Sequence, residues 1–250
     1  MPVEAPLPAA TTDRVLDGRV VIAQPADGYR VAIDPVLLAA AVDAAPDAHV
    51  LDLGCGVGTA ALCLAARLQE ISITGLDREP VFIAFADANV VANACRDRVR
   101  CILGDLLSPP AELAPGSFDH VMANPPYLKQ GTATVSAHSL KAAATAEGAA
   151  TLRHWIAAAA RFLKPGGELT LIHRADRLPE LIAALAPEFG ALRILPLLPK
   201  AGAAPKRVIL RAVLGAKGAP VELPGFVLHA ADGSFTAGAD NVLRGGAALR

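Results

Sequence analysis

One stretch of this sequence, residues 49–62, limits the possible fold more than any other. Its first part, 49–53, is mostly apolar, and Gly54, Gly56 and Gly58 then follow at every second position before an alanine- and leucine-rich segment. This order predicts a buried strand, a turn whose residues tolerate positive φ, and a helix. A strand that leads through glycines into a helix N-terminus is typical of sites for nucleotide-like ligands in α/β proteins.

The spacing of the glycines separates two ligand classes. A dinucleotide fingerprint, G-x-G-x-x-G/A, requires a third small residue at position 59, where Thr59 stands. Here the third glycine is Gly58, and Asp52 precedes the first glycine by two positions. The string resembles the first motif of class I S-adenosylmethionine-dependent methyltransferases, in which an acidic residue precedes G-x-G-x-G. NAD(P) binding and a tight turn without a ligand remain as alternatives.

Composition narrows the kinds of partner. The 250-residue chain is 53% hydrophobic and 4% aromatic, with a net charge of −1, so a polynucleotide would have to be held by a local basic patch. The cysteines form no CxxC pair, which favours buried, reduced thiols in a cytoplasmic protein. They are Cys55, Cys63, Cys95 and Cys101. We see no secretory signal, membrane-spanning stretch or metal site in the sequence.

Strand-like and helix-like segments alternate along the chain, which predicts an α/β protein. We expect a Rossmann-like class I methyltransferase fold with a seven-stranded, mostly parallel sheet, one antiparallel strand near an edge, and helices on both faces. The antiparallel strand is expected near 206–213, as the hairpin partner of 192–198. The expected parts are a flexible tail (1–12) and a single domain (13–250), comprising a hairpin and helix over the site (13–47), a cofactor-binding core (48–213) and a C-terminal strand extension (214–250).

Two further predicted strands end in acidic residues. Asp77 follows Asp52 at close to the offset, roughly 20 residues, at which Rossmann-like folds place a carboxylate against ribose hydroxyls. A helix N-cap is the alternative role for Asp77. In the methyltransferase pattern, Asp105 meets the adenine amino group and the backbone N–H of Leu106 meets a ring nitrogen, whereas a loop acid bonded to its own backbone is the alternative. Arg78, beside Asp77, is counted with the cofactor-binding residues.

The fourth predicted strand, 118–123, runs into Asn124-Pro125-Pro126-Tyr127. Neither proline can donate a backbone hydrogen bond, so the chain must leave the sheet at its carboxyl edge, where open α/β folds bind ligands. The Asn124 side-chain oxygen and the Pro125 carbonyl can each accept one N–H of a planar, conjugated amine, and Tyr127 can stack on the group that carries it. Asn124 is also expected to border the cofactor. Catalysis here consists mainly of positioning and electrostatics.

This four-residue string is similar to the (N/D)PP(Y/F) motif of methyltransferases that act on adenine, cytosine or glutamine nitrogens. Residues 28–40 resemble the segment before the cofactor motif in bacterial tRNA(Val)-type adenine-N6 methyltransferases, and the likeness extends over about 13–240. It implies that Asp34 lies near the methionine end of the cofactor or the target amine, although Ala32-Ile33 replace the family's usual Gly-Thr. Shorter likenesses are Trp155-Ile156, Leu163-Lys164-Pro165-Gly166-Gly167 and Lys206-Arg207-Val208.

The resemblance predicts a S-adenosylmethionine-dependent N-methyltransferase that acts on an adenine amine, with tRNA as the expected substrate. One alternative is a protein glutamine methyltransferase of the release-factor type. Those usually carry a separate helical N-terminal domain, whereas only about 50 residues precede Asp52. Another is a non-catalytic, RNA-interacting module, against which the Asn-Pro-Pro-Tyr string argues. The densest group of basic residues is Lys200, Lys206, Arg207, Arg211 and Lys217. We interpret it either as an RNA-binding cluster or as a solvated face of a hairpin. Oligomeric state is not predictable.

Overall fold

The computed structural model describes residues 7–27, 32–127 and 149–249. The first half contains β1 (Ala10–Val15), β2 (Val20–Pro25), α1 (Asp34–Ala41), β3 (His49–Leu53), α2 (Thr59–Arg67), β4 (Ser72–Asp77), α3 (Pro80–Ala92), β5 (Val99–Leu103) and β6 (Phe118–Ala123). The second half contains α4 (Leu152–Phe162), β7 (Leu163–Arg174), a 3₁₀ turn (Ala175–Arg177), α5 (Leu178–Leu185), β8 (Phe189–Lys200), β9 (Arg207–Leu214), β10 (Val221–Glu222), β11 (Phe226–His229) and α6 (Ala237–Leu243).

A mixed sheet organises these elements. Its strand order is β5-β4-β3-β6-β7-β9-β8, and the short strands β10 and β11 both pair with the outer side of β8. Neighbouring strands are parallel except at β9, which is antiparallel to both β7 and β8. The expected mostly parallel sheet with one reversed strand near an edge is therefore confirmed, and β10 and β11 extend it beyond the seven expected strands.

The sheet separates two apolar cores because successive side chains of a strand point to opposite faces. On β3 and β6, Val50 and Met122 belong to the core beneath α1, α2 and α3. Their neighbours Leu51 and Val121 belong to the core beneath α4 and α5. All four side chains are fully buried. Helices thus cover both faces, as the near-continuous apolar runs of these strands predict.

The register of the central strands brings four chain segments to one edge. Leu53, the last residue of β3, pairs with Leu76 on β4 and with Ala123 on β6, while Asp77 pairs with Leu103 on β5. These strands are parallel, so the segments that follow them all leave the sheet at the same end. Open α/β sheets bind their ligands at this end.

A separate antiparallel hairpin, β1–β2, is fastened to α3 by two asparagines one turn apart. The Asn89 side chain accepts a hydrogen bond from Ala23 N and donates one to Ala23 O, both at 2.8 Å. Asn93 makes the same pair with Val21, at 2.9 and 2.7 Å. Each side-chain amide therefore acts as a strand partner for β2. This arrangement holds the hairpin beside the carboxyl edge of the sheet.

Several boundaries differ from expectation. α1 begins at Asp34, with Pro35 in its first turn where a missing N–H costs no helical bond. It ends at Ala41 instead of Ala45, and Pro46 disfavours helical backbone in the residue before it. β1 begins at Ala10, within the segment expected to be a tail, because Ala10 pairs with Pro25 on β2.

The C-terminal part contains α6 in addition to the expected strands. The segment 128–148, which we expected to be a mobile loop, lies outside the described residues. Within the described ranges, no helix combines the length and the apolar character that crossing a bilayer would require.

Candidate active site

A cleft opens at the carboxyl ends of β3, β4, β5 and β6. Most of the site residues expected from the sequence lie on its walls. They are Asp52, Gly54, Gly56, Asp77, Arg78, Asp105, Leu106, Asn124, Pro125, Pro126 and Tyr127. Two others, Asp34 and Gly58, are not among the residues that line the cleft. Residues some 70 positions apart in the sequence thus form one continuous surface.

The glycine loop after β3 is held mainly by backbone hydrogen bonds. The N–H groups of Gly54 and Cys55 both donate to Leu76 O, at 2.8 and 3.1 Å, and Gly56 N donates to Asp77 Oδ2 at 2.9 Å. Gly54 and Gly56 have φ values of 77° and 54°, which favour glycine. A Cβ at Gly56 would meet no atom within 4 Å, so this glycine leaves open space in the cleft.

Gly54 and Gly58 have different structural reasons to be glycine. A Cβ at Gly54 would lie 2.4 Å from Cη2 of Trp155, so the indole of α4 packs directly against the loop backbone. Gly58 precedes the first residue of α2 with φ 84°, and a Cβ there would make only an ordinary 3.5 Å contact with Ala86 Cβ. Gly58 is therefore favoured by the positive φ of the turn and not by close packing.

Asp77 connects two parts of the cleft wall. Its carboxylate accepts hydrogen bonds from Gly56 N and from Glu79 N, each at 2.9 Å. Glu79, and not Asp77, is the N-cap residue of α3, so the alternative role of Asp77 as the N-cap is not seen, and its bond to Glu79 N belongs to the turn before the helix. Burial raises the pKa of Asp77, although both backbone donors act in the opposite direction. Each carboxylate oxygen retains a second lone pair that can accept a ligand hydroxyl.

Asp105 shows the local hydrogen bond that we considered as its alternative role. Its Oδ1 accepts from Leu107 N at 2.9 Å, within the turn that follows β5. The same residue and Leu106 also line the cleft. The local bond orients the acidic side chain and does not remove it from the cleft wall.

Asp52 carries a buried carboxylate oxygen that lacks a hydrogen-bond partner among the described residues. This oxygen is Oδ2, and the whole side chain is buried. Burial, helped by the nearby Asp77 carboxylate and opposed by a backbone hydrogen bond from Ala61, raises the pKa of this carboxyl to about 7. A buried acceptor without a partner is uncommon, and a positively charged ligand group would supply the missing donor.

The donor and acceptor chemistry of the cleft fits S-adenosylmethionine. The ammonium, ribose hydroxyls and adenine amino group of that molecule are donors, and Asp52, Asp77 and Asp105 are acceptors on the cleft wall. The unpartnered Oδ2 of Asp52 is an acceptor suited to an ammonium group. The open space at Gly56 admits a ligand close to the backbone.

The segment after β6 is organised around the hydroxyl of Tyr127. This oxygen lies 2.8 Å from Asp34 Oδ2 and is also within hydrogen-bond distance of Asn124 Oδ1. Asp34 is paired in turn with Arg207, whose Nε lies 3.0 Å from the same carboxylate oxygen. The Arg207 guanidinium covers one face of the Tyr127 ring at 4.6 Å from its centroid, and the His173 ring meets it edge-on at 5.2 Å. Asp34 is therefore bonded to both Tyr127 and Arg207, while its neighbour Pro35 lines the cleft.

The basic residues expected to form an RNA-binding cluster are partly neutralised. Arg211 pairs with Glu168 at 2.7 Å, and Arg207 pairs with Asp34. Lys200 donates to the backbone oxygen of Ala231. The pairing of β7 with β9 brings Glu168 beside Arg211, and helix α1 brings Asp34 beside Arg207. The linear sequence shows neither contact.

Several cleft residues are absent from the sequence-based set. Gln24 and Pro25 come from β2, Phe82 from α3 and Trp155 from α4. Trp155 lies in a stretch that resembles the adenine-N6 methyltransferases. Its contact with Gly54, which the sequence does not show, is what makes it part of the cleft wall. We expected the N-terminal hairpin to lie over the site, but no local pattern indicates which of its residues reach this wall.

Comparisons with known proteins agree with this architecture. The family model of the methyltransferase small domain matches residues 30–196. A tRNA1(Val) (adenine(37)-N6)-methyltransferase from Porphyromonas gingivalis is 33% identical over 169 residues, covering 65% of this chain and 66% of that protein. One from Actinobacillus pleuropneumoniae is 30% identical over 211 residues, covering 83% and 85%. The match to the first relative thus spans just under two thirds of its length.

Solved structures show the same fold. A protein described as a predicted O-methyltransferase from Agrobacterium tumefaciens superposes with a TM-score of 0.73 at 27% identity, covering 86% of this chain and 98% of that chain. The geranyl diphosphate C-methyltransferase from Streptomyces coelicolor, at 16% identity and a TM-score of 0.53, shares the fold alone. The expected Rossmann-like methyltransferase fold is confirmed, and since the family model matches well over half of its length, the chain belongs to the methyltransferase small domain family.

Proposed function

We propose that this chain is a S-adenosylmethionine-dependent N-methyltransferase that modifies the exocyclic amine of an adenine in tRNA, in the cytoplasm. The observation that carries the proposal is that the Asn124–Tyr127 segment and the glycine loop line the same cleft. Similarity to tRNA1(Val) (adenine(37)-N6)-methyltransferases over as much as 83% of the chain supports an adenine acceptor. The position of Gln24 and Pro25 on the cleft wall supports the view that residues 13–47 cover the site.

The cofactor half of the cleft would be formed by the first three strand ends. Asp77 would accept the ribose hydroxyls, and Asp105 with the backbone of Leu106 would hold the adenine. Asp52 would face the ammonium group, and Arg78 borders the same wall. When bound, S-adenosylmethionine supplies a methyl group activated by a sulfonium. The chain's contribution on this side is to bind and orient.

The acceptor half works on a nitrogen whose lone pair is conjugated with its ring. The Asn124 side-chain oxygen and the Pro125 carbonyl each accept one N–H of the target amine, which draws the nitrogen towards tetrahedral geometry and aims its lone pair. Pro126 keeps this segment out of the sheet, and Tyr127 offers a ring face to the planar base. No strong base is required, because the amine proton becomes acidic once the methyl has bonded. Positioning and electrostatics therefore supply most of the rate enhancement.

A protein glutamine acceptor is the second candidate. A release factor glutamine methyltransferase from Gloeobacter violaceus is 31% identical over 155 residues, but the match covers only 58% of this chain and 53% of that protein. A glutamine amide is planar, and its nitrogen offers two N–H donors like those of an adenine amine. Asn124 and Pro125 can therefore accept either group, and the adenine acceptor is favoured by the longer similarity.

The test uses the purified chain, S-adenosylmethionine with a radiolabelled methyl group, and total tRNA and total protein from cells that lack this gene. We expect label in tRNA, recovered after nuclease digestion as N6-methyladenosine. Label in protein glutamine would replace the first candidate with the second. Label in neither fraction, under conditions where the cofactor binds, would overturn the enzymatic proposal.

A further inference from the structure

We propose that Asp34 and Arg207 are positioning residues that act through the Tyr127 hydroxyl to orient the side-chain amide of Asn124. This inference rests on the proposed function, because it assigns a task to residues that do not border the reacting atoms. Neither Asp34 nor Arg207 is among the residues that line the cleft. Both nevertheless connect to Asn124 through one hydroxyl group.

The contacts form an unbroken chain from β9 to the cleft. Arg207 Nε donates to Asp34 Oδ2 at 3.0 Å, and the Tyr127 hydroxyl lies 2.8 Å from that same oxygen. The hydroxyl is also in hydrogen-bond contact with the Asn124 side chain. The Asp34 side chain is only 10% exposed, so water competes little for its carboxylate. The order of the chain is therefore Arg207, Asp34, Tyr127, Asn124.

Counting protons along this chain determines the direction of each bond. A tyrosine hydroxyl has one proton to donate, while two of its neighbours are side chains that carry acceptor oxygens. The Asp34 carboxylate, charged and held by Arg207, is the stronger acceptor, so the Tyr127 O–H donates to it. The Tyr127 oxygen is then left as an acceptor with two lone pairs, one for the Arg207 guanidinium, which also bonds to it, and one for its contact with Asn124.

The Asn124 amide can satisfy this requirement in one orientation. The structure places Asn124 Oδ1 against the Tyr127 hydroxyl. Once that hydroxyl donates its proton to Asp34, two acceptor oxygens would face each other there, so the amide must be turned by 180°, with Nδ2–H directed at the Tyr127 oxygen. The oxygen and nitrogen of an amide are nearly the same size, so their assignment follows from the hydrogen-bond network. With Nδ2 directed at Tyr127, Oδ1 is directed away from it and is available to accept an N–H of the target amine.

Two further groups hold the Tyr127 ring in place. The Arg207 guanidinium lies over one face at 4.6 Å from the ring centroid, and the buried His173 ring packs against the tyrosine at 5.2 Å with the two ring planes at 81°. Burial, together with the charge of Arg177, lowers the pKa of His173 to about 4, so this ring is neutral at physiological pH. Arg207 is thus the charged group in contact with the ring, and its ion pair with Asp34 holds the carboxylate to which the Tyr127 hydroxyl bonds.

Without this chain of bonds the amide can rotate and present Nδ2–H to the amine. A donor would then face a donor, and the acceptor that aims the target nitrogen would be lost. One hydrogen bond to a charged or reacting group corresponds to about a 10- to 100-fold change in rate. The expected loss therefore appears in kcat and leaves cofactor affinity unchanged.

The kinetic test is a double-mutant cycle at saturating tRNA and S-adenosylmethionine. Tyr127→Phe keeps the stacking ring and removes the hydroxyl, and we expect kcat to fall about 10- to 100-fold with the cofactor Kd changed less than about twofold. Asp34→Asn should lower kcat by about 10-fold, and the double variant should lose no more than Tyr127→Phe alone, because Asp34 acts only through the hydroxyl. Multiplicative losses, or an unchanged kcat in Tyr127→Phe, would overturn the proposal.

Arg174 provides a matched control for charge. It pairs with Arg207 in the register of β7 and β9, but its guanidinium binds Asp176 on the surface. Arg207→Met and Arg174→Met each remove one positive charge from the same edge of the sheet. Any effect on the KM for tRNA should be similar in the two, whereas only Arg207→Met should lower kcat. An equal loss of kcat in Arg174→Met would assign the effect to general charge.

A spectroscopic measurement tests the same chain of bonds without any activity. The sequence has four asparagines, so ¹⁵N-asparagine labelling gives few side-chain amide signals, and Asn124→Asp identifies the relevant pair. We expect one Asn124 amide proton to be shifted downfield by its bond to Tyr127 and to move upfield in Tyr127→Phe. If the wild-type chain methylates neither tRNA nor protein, the proposed function fails, but this measurement still decides the inference. Unchanged Asn124 signals in Tyr127→Phe would overturn it.

Discussion

The two sides of the cleft are built in different ways. On the cofactor side, the glycine loop is held by backbone donors to Leu76 and by Asp77, both on the next strand of the sheet. On the acceptor side, Tyr127 is held by Asp34, which is 93 residues from it in the sequence, and Asp34 is held by Arg207, which is 173 residues from Asp34. The comparison teaches that hydrogen bonds between two neighbouring strands are enough to hold the cofactor loop. Orienting the acceptor, by contrast, requires side chains from elements that are far apart in the sequence.

Removing the acceptor amide should give the largest effect and should separate the two sides. In Asn124→Ala, we expect methyl transfer to fall by about 10³-fold or more, because the oxygen that aims the amine is absent. The Kd for S-adenosylmethionine, measured by calorimetry, should change less than about threefold, since the acidic residues of the cofactor side are intact. A proportional loss of cofactor binding and transfer would show that the two sides are not independent.

The glycine loop offers a matched pair of substitutions. Gly54→Ala would place its Cβ 2.4 Å from the Trp155 ring, whereas Gly58→Ala would make only a 3.5 Å contact with Ala86. Both variants bear the strain of positive φ, about 1–2 kcal/mol. Gly54→Ala should lose about 1–3 kcal/mol more of the free energy of unfolding, from overpacking.

Calorimetry and thermal unfolding of the two glycine variants check this. Cofactor affinity should fall in Gly54→Ala and change less in Gly58→Ala, because only Gly54 lies on the cleft wall. Equal behaviour of the two variants would mean that Trp155 does not determine the identity of residue 54.

The third prediction concerns Asp52 and pH, and its effect is the smallest. Because burial raises the pKa of Asp52 to about 7 in the folded chain, the folded state binds this proton more tightly than the unfolded state does. The stability contributed by the protonated form is present below about pH 4 and is lost as pH rises towards 7. Asp52→Asn cannot ionise and should be more stable than the ligand-free wild type by about 2 kcal/mol at pH 8, with the difference closing towards pH 4.

Thermal unfolding of both ligand-free proteins across this pH range measures the difference. Burial also raises the pKa of Asp77, which acts in the same direction in both proteins and so largely cancels in the comparison. A variant less stable than wild type at pH 8 would show that the Asp52 carboxylate has a stabilising partner. Transfer chemistry at Asn124 should not depend on this titration directly, which keeps the two sides of the cleft distinct.

Local sequence patterns were enough to predict the cofactor side. The glycines at positions 54 and 56 and the acids at strand ends follow from strand-turn-helix order, and parallel register then brings them to one edge. The Asn124–Tyr127 segment was placed at the same edge because prolines end a strand. Contacts between distant side chains were not predictable: nothing near Gly54 indicates Trp155, and nothing near Asp34 indicates Arg207.

The sequence by itself determined the fold class, the order of the strands that matter and the edge at which ligands bind, because hydrophobic periodicity and glycine or proline positions act locally on the backbone. Only the tertiary structure decided which side chains hold Asn124 and Tyr127 in place. The resemblance places Asp34 near the cofactor or the target amine, but only the folded chain shows that its carboxylate is bonded to the Tyr127 hydroxyl and to Arg207. The reason is physical: a hydrogen bond has a direction and a short range, so its partner is known only once the chain has folded.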